Sequence, residues 1–168
     1  MQNELKERRI KRYYEAFVWG HMREEGGKIE LPIGRSPTNR MYMAVTDQNS
    51  RPAITKYELK TRFKFCDHVW VSLQTGRTHQ IRVHFSHLGH PVVGDRDYGG
   101  DEKVLPGLFD LYRNQARRII EMVPRQCLHA RKIEFKHPKT GLIHTVKSDF
   151  PDDMQSVIDY LNEIESDA

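Results

Sequence analysis

The sequence predicts a single α+β domain built on a mixed, mainly antiparallel β-sheet that is flanked by helices. A length of 168 residues suits one domain. The first half contains short segments of alternating character separated by turn residues, which is typical of an antiparallel meander. The second half adds segments in which apolar residues recur with helical spacing.

The composition fits a soluble intracellular protein. Hydrophobic residues make up 38% and charged residues 30% of the chain, which is enough apolar material for one core. No run approaches the roughly 18 apolar residues of a membrane span, and the charged start is unlike a secretory signal. Two cysteines, Cys66 and Cys127, cannot form a disulfide framework and fit a reducing, cytoplasmic environment. A net charge of +4 weakly favours a nucleic-acid partner.

The first elements are a polar helix and an apolar strand. Residues 2–12 are rich in charged side chains and predict a short helix. Residues 13–20 predict a central strand, because both of its faces are apolar. The two faces carry Tyr14, Ala16 and Val18 on one side and Tyr13, Phe17 and Trp19 on the other.

Short strands are predicted at residues 28–33 and 41–46, followed by a longer half-exposed strand at 53–65. Asp67 and His68 resemble a hairpin turn, after which residues 68–73 return as a strand. The first half is therefore expected to be an antiparallel meander.

The pattern changes to helical after Gly76. Thr78 is a suitable N-cap, Ile81 and Phe85 form an apolar stripe, and Gly89 provides a stop. The remaining predicted elements are a helix at 108–122, strands at 126–135 and 143–147, and a final helix that begins after Pro151.

The segment at residues 75–84, TGRTHQIRVH, is the strongest candidate for chemistry. Arg77 lies just before a helix start, where free N–H groups attract anions such as phosphate. Arg82 follows the core-facing Ile81 and could reach into a pocket, where a guanidinium pairs with a carboxylate or phosphate. Alternatively, both arginines are ordinary exposed helix residues. Further donors at this end of the helix are Thr78, His79 and Gln80.

Three histidines, His84, His87 and His90, recur every third residue. Zinc sites on a helix prefer pairs four residues apart with a distant third ligand, so no metal site is expected. These histidines are expected to pack, to cap or to hydrogen-bond the backbone instead.

A second basic segment covers residues 125–131. As a strand it would place Arg125, Cys127, His129 and Arg131 on one face, which suits a sheet surface that binds RNA. The alternative is a plain solvent-facing edge. Cys127 has no assignable partner histidine and is expected to be a buried, inert thiol.

Taken together, these segments resemble the RluA/RluD-type RNA pseudouridine synthases. The resemblance covers roughly residues 12 to 151 and runs through several blocks in order. The blocks are RYYEAFVWG at 12–20, LQTGRTHQIRVH at 73–84, LGHPVVGD at 88–95, Tyr98-Gly99, RQCLHA at 125–130, Phe135, His137-Pro138 and Thr140-Gly141.

The resemblance implies isomerisation of uridine to pseudouridine in RNA, without a cofactor or metal, on a nucleotide flipped out of its stack. It implies ribosomal RNA as the first substrate to consider, ahead of transfer RNA. It also implies that Tyr14 packs on the uracil and takes part in proton removal from C5. Arg82 would pair with the catalytic aspartate, and Ile81 would line the pocket. Arg77, Thr78, His79, Gln80, Arg125 and His129 are then the candidate RNA-binding residues.

The sequence departs from this family at one essential point. The catalytic aspartate of the family lies in a His-Arg-Leu-Asp segment that precedes the strand of Tyr14. None of the eleven aspartates here has that context, and Asp95 matches a structural position. We therefore expect an incomplete catalytic domain without an N-terminal RNA-binding extension, inactive by itself.

The sequence leaves two alternatives to an incomplete catalytic domain of a pseudouridine synthase. One is a degenerate RNA-binding module without catalysis, and the other is one half of a split enzyme. A domain without one of its strands would also expose an unpaired sheet edge, through which copies could associate.

Overall fold

The computed structural model describes residues 10–166. This part of the chain forms eight strands, one 3-10 helix and three α-helices. The strands are β1 Ile10–Trp19, β2 Gly26–Glu30, β3 Ile33–Arg35, β4 Met43–Val45, β5 Ile54–Arg62, β6 Cys66–Leu73, β7 Leu128–Lys136 and β8 Ile143–Lys147. The helices are α1 Gln80–His87, the 3-10 helix Glu102–Gly107, α2 Asp110–Met122 and α3 Asp152–Ser166.

Six of the strands form one sheet in the order β2-β5-β6-β1-β7-β8. Neighbouring strands in the described part of this sheet pair in antiparallel fashion. Strands β3 and β4 pair separately as a hairpin. The predicted α+β class with a mainly antiparallel sheet is confirmed.

Strand β1 lies inside the sheet, between β6 and β7, as its two apolar faces predict. On one face, Phe17 and Trp19 pack in a core cluster with residues of α2 and α3. On the other face, Ala16 and Val18 pack with Ile81 and Phe85 of α1. The sheet is therefore covered on both sides at its centre, and α1 defines the face that carries Tyr14. None of the helices within residues 10–166 is long and apolar enough to cross a bilayer.

Three local predictions are wrong. The predicted helix at 2–12 lies mostly outside the described residues, but Ile10–Arg12 extend β1, because all three pair with β7 and Arg12 also pairs with β6. Asp67 and His68 are strand residues of β6, and the turn lies at Phe63–Phe65 instead. Polar residues usually mark turns. Here Asp67 is buried in β6 because its carboxylate accepts hydrogen bonds from the Arg62 side chain and the Met22 N–H.

Helix α1 also begins differently from the prediction. Its N-cap is His79, with a φ of 55°, and no side chain caps the helix. Thr78 is therefore not the cap. Gly89, with a φ of 82°, follows the helix as the predicted stop.

Candidate uridine pocket

The side chain of Tyr14 lies on the face of the sheet that α1 covers. Tyr14 is half-buried and packs against the cluster that contains Ile81, the predicted pocket residue, and Phe85. Its cross-strand neighbours are Val71 on β6 and Ala130 on β7. The register of β1 and β7 shifts between Tyr13 and Tyr14, where Arg131 of β7 has no partner on β1. Such bulges are frequent next to active sites.

Arg82 is buried, with 8% of its surface exposed, so the alternative of an exposed helix arginine is wrong for this residue. Its Nε and Nη2 donate to the two carboxylate oxygens of Asp95 at 2.8 and 2.6 Å. Nη2 also donates to Asp97 at 2.7 Å, and the guanidinium lies 4.7 Å from the ring centre of Tyr98. Burial opposes the charge of Arg82, but the hydrogen bonds to Asp95 and Asp97 outweigh it and raise the pKa of Arg82 above its ordinary value.

This arrangement fixes the guanidinium in one orientation. Within residues 10–166, Nη1 of Arg82 has no hydrogen-bond partner, whereas Nε and Nη2 are both engaged. Asp95 is itself held by the N–H groups of Asp97 and Tyr98, which donate to its Oδ1 at 3.1 Å. Asp95 therefore has the structural role that the sequence predicts for it.

The turn before α1 is organised by Gln80, which is 2% exposed. Its Oε1 accepts hydrogen bonds from the Thr75 hydroxyl at 2.8 Å and the Arg77 N–H at 3.0 Å. Its Nε2 donates to the Ile54 carbonyl and to the Thr55 hydroxyl, both at 3.0 Å. Because its amide is fully used inside the protein, Gln80 shapes the turn rather than presenting donors to a ligand.

The other residues of this turn remain accessible. Thr78 and His79 are exposed, and Arg77 is partly exposed while its Nε donates to the Pro52 carbonyl at 3.1 Å. Nδ1 of His79 lies 2.9 Å from the hydroxyl of Tyr98. Partial burial and the charge of Arg82 lower the pKa of His79. The structure thus brings Arg77, Thr78 and His79 to one rim beside Arg82.

Arg125 and His129 do not join this group. Arg125 precedes β7, and its guanidinium donates to Asp153 of α3 at 2.9 Å and to the carbonyls of Gln126 and Leu128. His129 lies opposite Glu15 in the sheet and packs edge-on against Phe150, on the face away from Tyr14. Arg125 thus connects the start of β7 to α3, and its predicted contact with RNA stays a prediction.

Cys127 is 1% exposed, as expected for an inert thiol, and burial raises its pKa to about 12. Two of the periodic histidines are engaged within the protein, as predicted. His84 is fully buried, and its ring nitrogens lie 2.9 Å from the Thr55 hydroxyl and 3.0 Å from the Leu31 carbonyl. Nδ1 of His90 lies 3.0 Å from the Trp19 carbonyl. Within the described part of the chain, no three histidine, cysteine or acidic side chains are grouped as metal ligands would be.

Sequence reasoning did not find three residues that shape the pocket. Asp97 and Tyr98 contact Arg82, and Leu128 of β7 packs in the same cluster as Tyr14. The two aspartates Asp95 and Asp97, separated by one residue, were a sequence signal for binding an arginine side chain. No neighbouring residue in the sequence indicated which arginine the two carboxylates would bind.

Comparison with known proteins agrees with this architecture. The sequence profile described as RNA pseudouridylate synthase matches residues 1–87. The ribosomal large subunit pseudouridine synthase D of Pseudomonas aeruginosa is 41% identical over 160 residues, which cover 95% of this chain and 48% of that protein. The protein of the same name from Escherichia coli is 38% identical over 157 residues, or 94% of this chain and 46% of that protein. The chain thus spans about half the length of these curated relatives.

Solved structures show the same fold. Human RNA Pseudouridylate Synthase Domain Containing 1 superposes with a TM-score of 0.68 at 29% identity, over 89% of this chain and 58% of that one. Human RNA Pseudouridylate Synthase Domain Containing 4 superposes with a TM-score of 0.69 at 20% identity, over 96% of this chain and 66% of that one, and supports the fold alone. From its sequence and its fold, the chain belongs to the RNA pseudouridylate synthase family, among the RluA/RluD-type members.

Proposed function

We propose that this chain supplies the uridine pocket of an RNA pseudouridine synthase that acts on ribosomal RNA in the cytoplasm. The observation that carries the proposal is the packing of Tyr14 in one cluster with Ile81, the residue that precedes Arg82 on α1. Tyr14 lies at a bulge and packs in the cluster of Ile81, and the next residue, Arg82, is a buried and oriented cation. The names of the curated relatives support ribosomal RNA as the substrate.

In this reaction the N1–C1′ bond of uridine breaks, the uracil turns, and a C5–C1′ bond forms. The proton at C5 is lost to the solvent and N1 takes up a proton. The step is an isomerisation without net oxidation, so it needs no redox cofactor. The ring of Tyr14 would pack on the uracil and its hydroxyl would assist removal of the C5 proton. Arg82 would present Nη1 to the carboxylate that attacks C1′, and an adjacent cation keeps such a carboxylate ionised.

That attacking carboxylate is not identifiable among the residues of this sequence. Asp95 and Asp97 are committed to Arg82, and Asp67 is buried against Arg62 and the Met22 N–H. No aspartate in the sequence has an Arg-Leu-Asp context. We therefore propose that residues 1–168 alone bind RNA and do not isomerise uridine.

RNA carrying tritium at C5 of uridine tests the proposal, because isomerisation releases that tritium to water. The isolated chain is expected to bind the RNA in a salt-dependent manner and to release no tritium above background. Release by the isolated chain would contradict the claim about the missing carboxylate. An absence of RNA binding at low salt would contradict the assignment of the pocket to RNA.

A further inference from the structure

Arg12 lies two residues before Tyr14 on the same face of β1, and its guanidinium makes no hydrogen bond or ion pair within residues 10–166. Its cross-strand neighbours are Leu73 on β6 and Ile133 on β7. The Nε of Arg12 is buried and has no hydrogen-bond partner among residues 10–166. A buried, unsatisfied donor on a cation costs free energy, so an anionic ligand would stabilise this side chain.

The turn before α1 leaves room for this guanidinium because residue 76 is a glycine. A methyl group at Gly76 would lie only 2.6 Å from Nη1 and 2.7 Å from Nη2 of Arg12. Any larger residue at position 76 would push the guanidinium away. Arg77, at the rim of the uridine pocket, follows this glycine directly, so Arg12 lies beside the same turn.

Arg12 also lines a surface cleft of about 310 Å³ at the end of the sheet. Two other basic side chains, Lys11 and Lys56, line this cleft, and Ser72 and Gln74 add a hydroxyl and an amide. None of the described residues that line it is acidic. Lys11 lies opposite Glu134 of β7, but Arg12 and Lys56 form no ion pair within residues 10–166. Such cations attract an anion, and a guanidinium fork matches the paired oxygens of a phosphate.

We propose that Arg12, beside the turn that carries Arg77, binds a backbone phosphate of the substrate RNA next to the flipped uridine. The inference rests on the proposed function, since it assumes that RNA enters the pocket of Tyr14. Several cations spread along one cleft match a phosphodiester backbone better than a single protein carboxylate. Gly76 then contributes to RNA binding indirectly, because it keeps the guanidinium in place.

Fluorescence anisotropy of a labelled single-stranded RNA, titrated at several salt concentrations, tests this proposal. Arg12→Gln is expected to weaken binding about tenfold at low salt and to reduce the salt slope by about one. Gly76→Ala is expected to weaken binding in the same direction while the protein stays folded, because only the flexible end of Arg12 must move. The matched controls are Arg117→Gln, an exposed arginine on α2, and Gly107→Ala, where a methyl group meets nothing within 4 Å.

A second experiment identifies which phosphate of the RNA Arg12 contacts. Uncharged methylphosphonate linkages placed one at a time beside the uridine should weaken binding of the wild-type chain at one position. At that position Arg12→Gln should show no further loss, because the two changes remove the same contact.

If Arg12→Gln behaves like Arg117→Gln while the wild-type chain still binds RNA, the phosphate site is refuted and the proposed function stands. If the wild-type chain does not bind RNA, the phosphate site and the proposed function are both refuted. If Arg12→Gln leaves RNA affinity unchanged but weakens binding of a polypeptide that carries the His-Arg-Leu-Asp segment, the ligand is a protein carboxylate and the proposal is overturned.

Discussion

Replacing Asp95 by asparagine should destabilise the protein far more than the same change at Asp97, although both carboxylates hold the guanidinium of Arg82. The two sites differ in burial: the side chain of Asp95 is 0% exposed, whereas that of Asp97 is 46% exposed. Asp95 accepts two hydrogen bonds from Arg82 and two from the N–H groups of Asp97 and Tyr98. Asp97 accepts a single hydrogen bond from Arg82.

The expected magnitudes follow from these contacts. In Asp95→Asn the amide oxygen can keep the three bonds made by Oδ1, but the amide NH2 then faces Nε of Arg82, donor against donor. One charge-assisted hydrogen bond is lost and a buried cation loses its counter-charge, which together cost about 3 kcal/mol. Asp97→Asn removes a half-exposed ion pair and should cost less than about 1 kcal/mol.

Urea unfolding, followed by circular dichroism and by tryptophan fluorescence, measures both variants against the wild-type chain. Coincident transitions and unchanged m values would show that the free energies of unfolding can be compared. Equal losses for the two variants, or a loss below about 1 kcal/mol for Asp95→Asn, would refute the view that Asp95 is the buried anchor of Arg82.

Three further predictions concern the rest of the fold. Burial opposes the charge of Glu15, but His68 and Lys60 outweigh it and lower the pKa of Glu15 to about 2. This lowered pKa stabilises the folded protein by about 3 kcal/mol, and the stabilisation is complete above about pH 4.5 and lost as the pH falls towards 2. In Glu15→Gln the free energy of unfolding, measured by urea titration, should therefore fall less steeply over this pH range. An unchanged pH dependence would contradict this reasoning. Gly100→Ala should abolish soluble folded protein, because a methyl group there would lie 1.7 Å from the Val92 carbonyl oxygen; a Tm within a few degrees of wild type would count against this packing. Strand β8 is an edge of the six-stranded sheet with Ile143 78% exposed, so we expect concentration-dependent association in sedimentation experiments that Ile143→Lys reduces, and a monomer at all concentrations would exclude it.

The sequence was most informative where a local pattern decides the structure. The alternation along β1 predicted an interior strand, and Phe17 and Ala16 indeed pack on opposite faces. The spacing of Ile81 and Phe85 predicted α1, and Gly89 predicted its end. These predictions depend on residues close in sequence, which is why they could be made without knowledge of the fold.

The errors arose where distant residues decide the structure. Asp67 has the residue type of a turn, but it is buried in β6, where it accepts a hydrogen bond from the N–H of Met22, far away in sequence. The candidate pocket also has one feature that could be predicted from the sequence and one that could not. Its position followed from a family resemblance, whereas the pairing of Arg82 with Asp95 required the folded loop that brings the two together.

The most direct test of the account is whether the chain becomes active when the missing carboxylate is supplied. A polypeptide with the His-Arg-Leu-Asp segment expected for the family would be mixed with this chain and with RNA tritiated at C5 of uridine. We predict tritium release from the mixture, none from either piece alone, and none when Tyr14→Ala replaces the wild-type chain or when that aspartate is replaced by asparagine. Release by the isolated chain, or release from the mixture that survives Tyr14→Ala, would contradict the assignment of the uridine pocket.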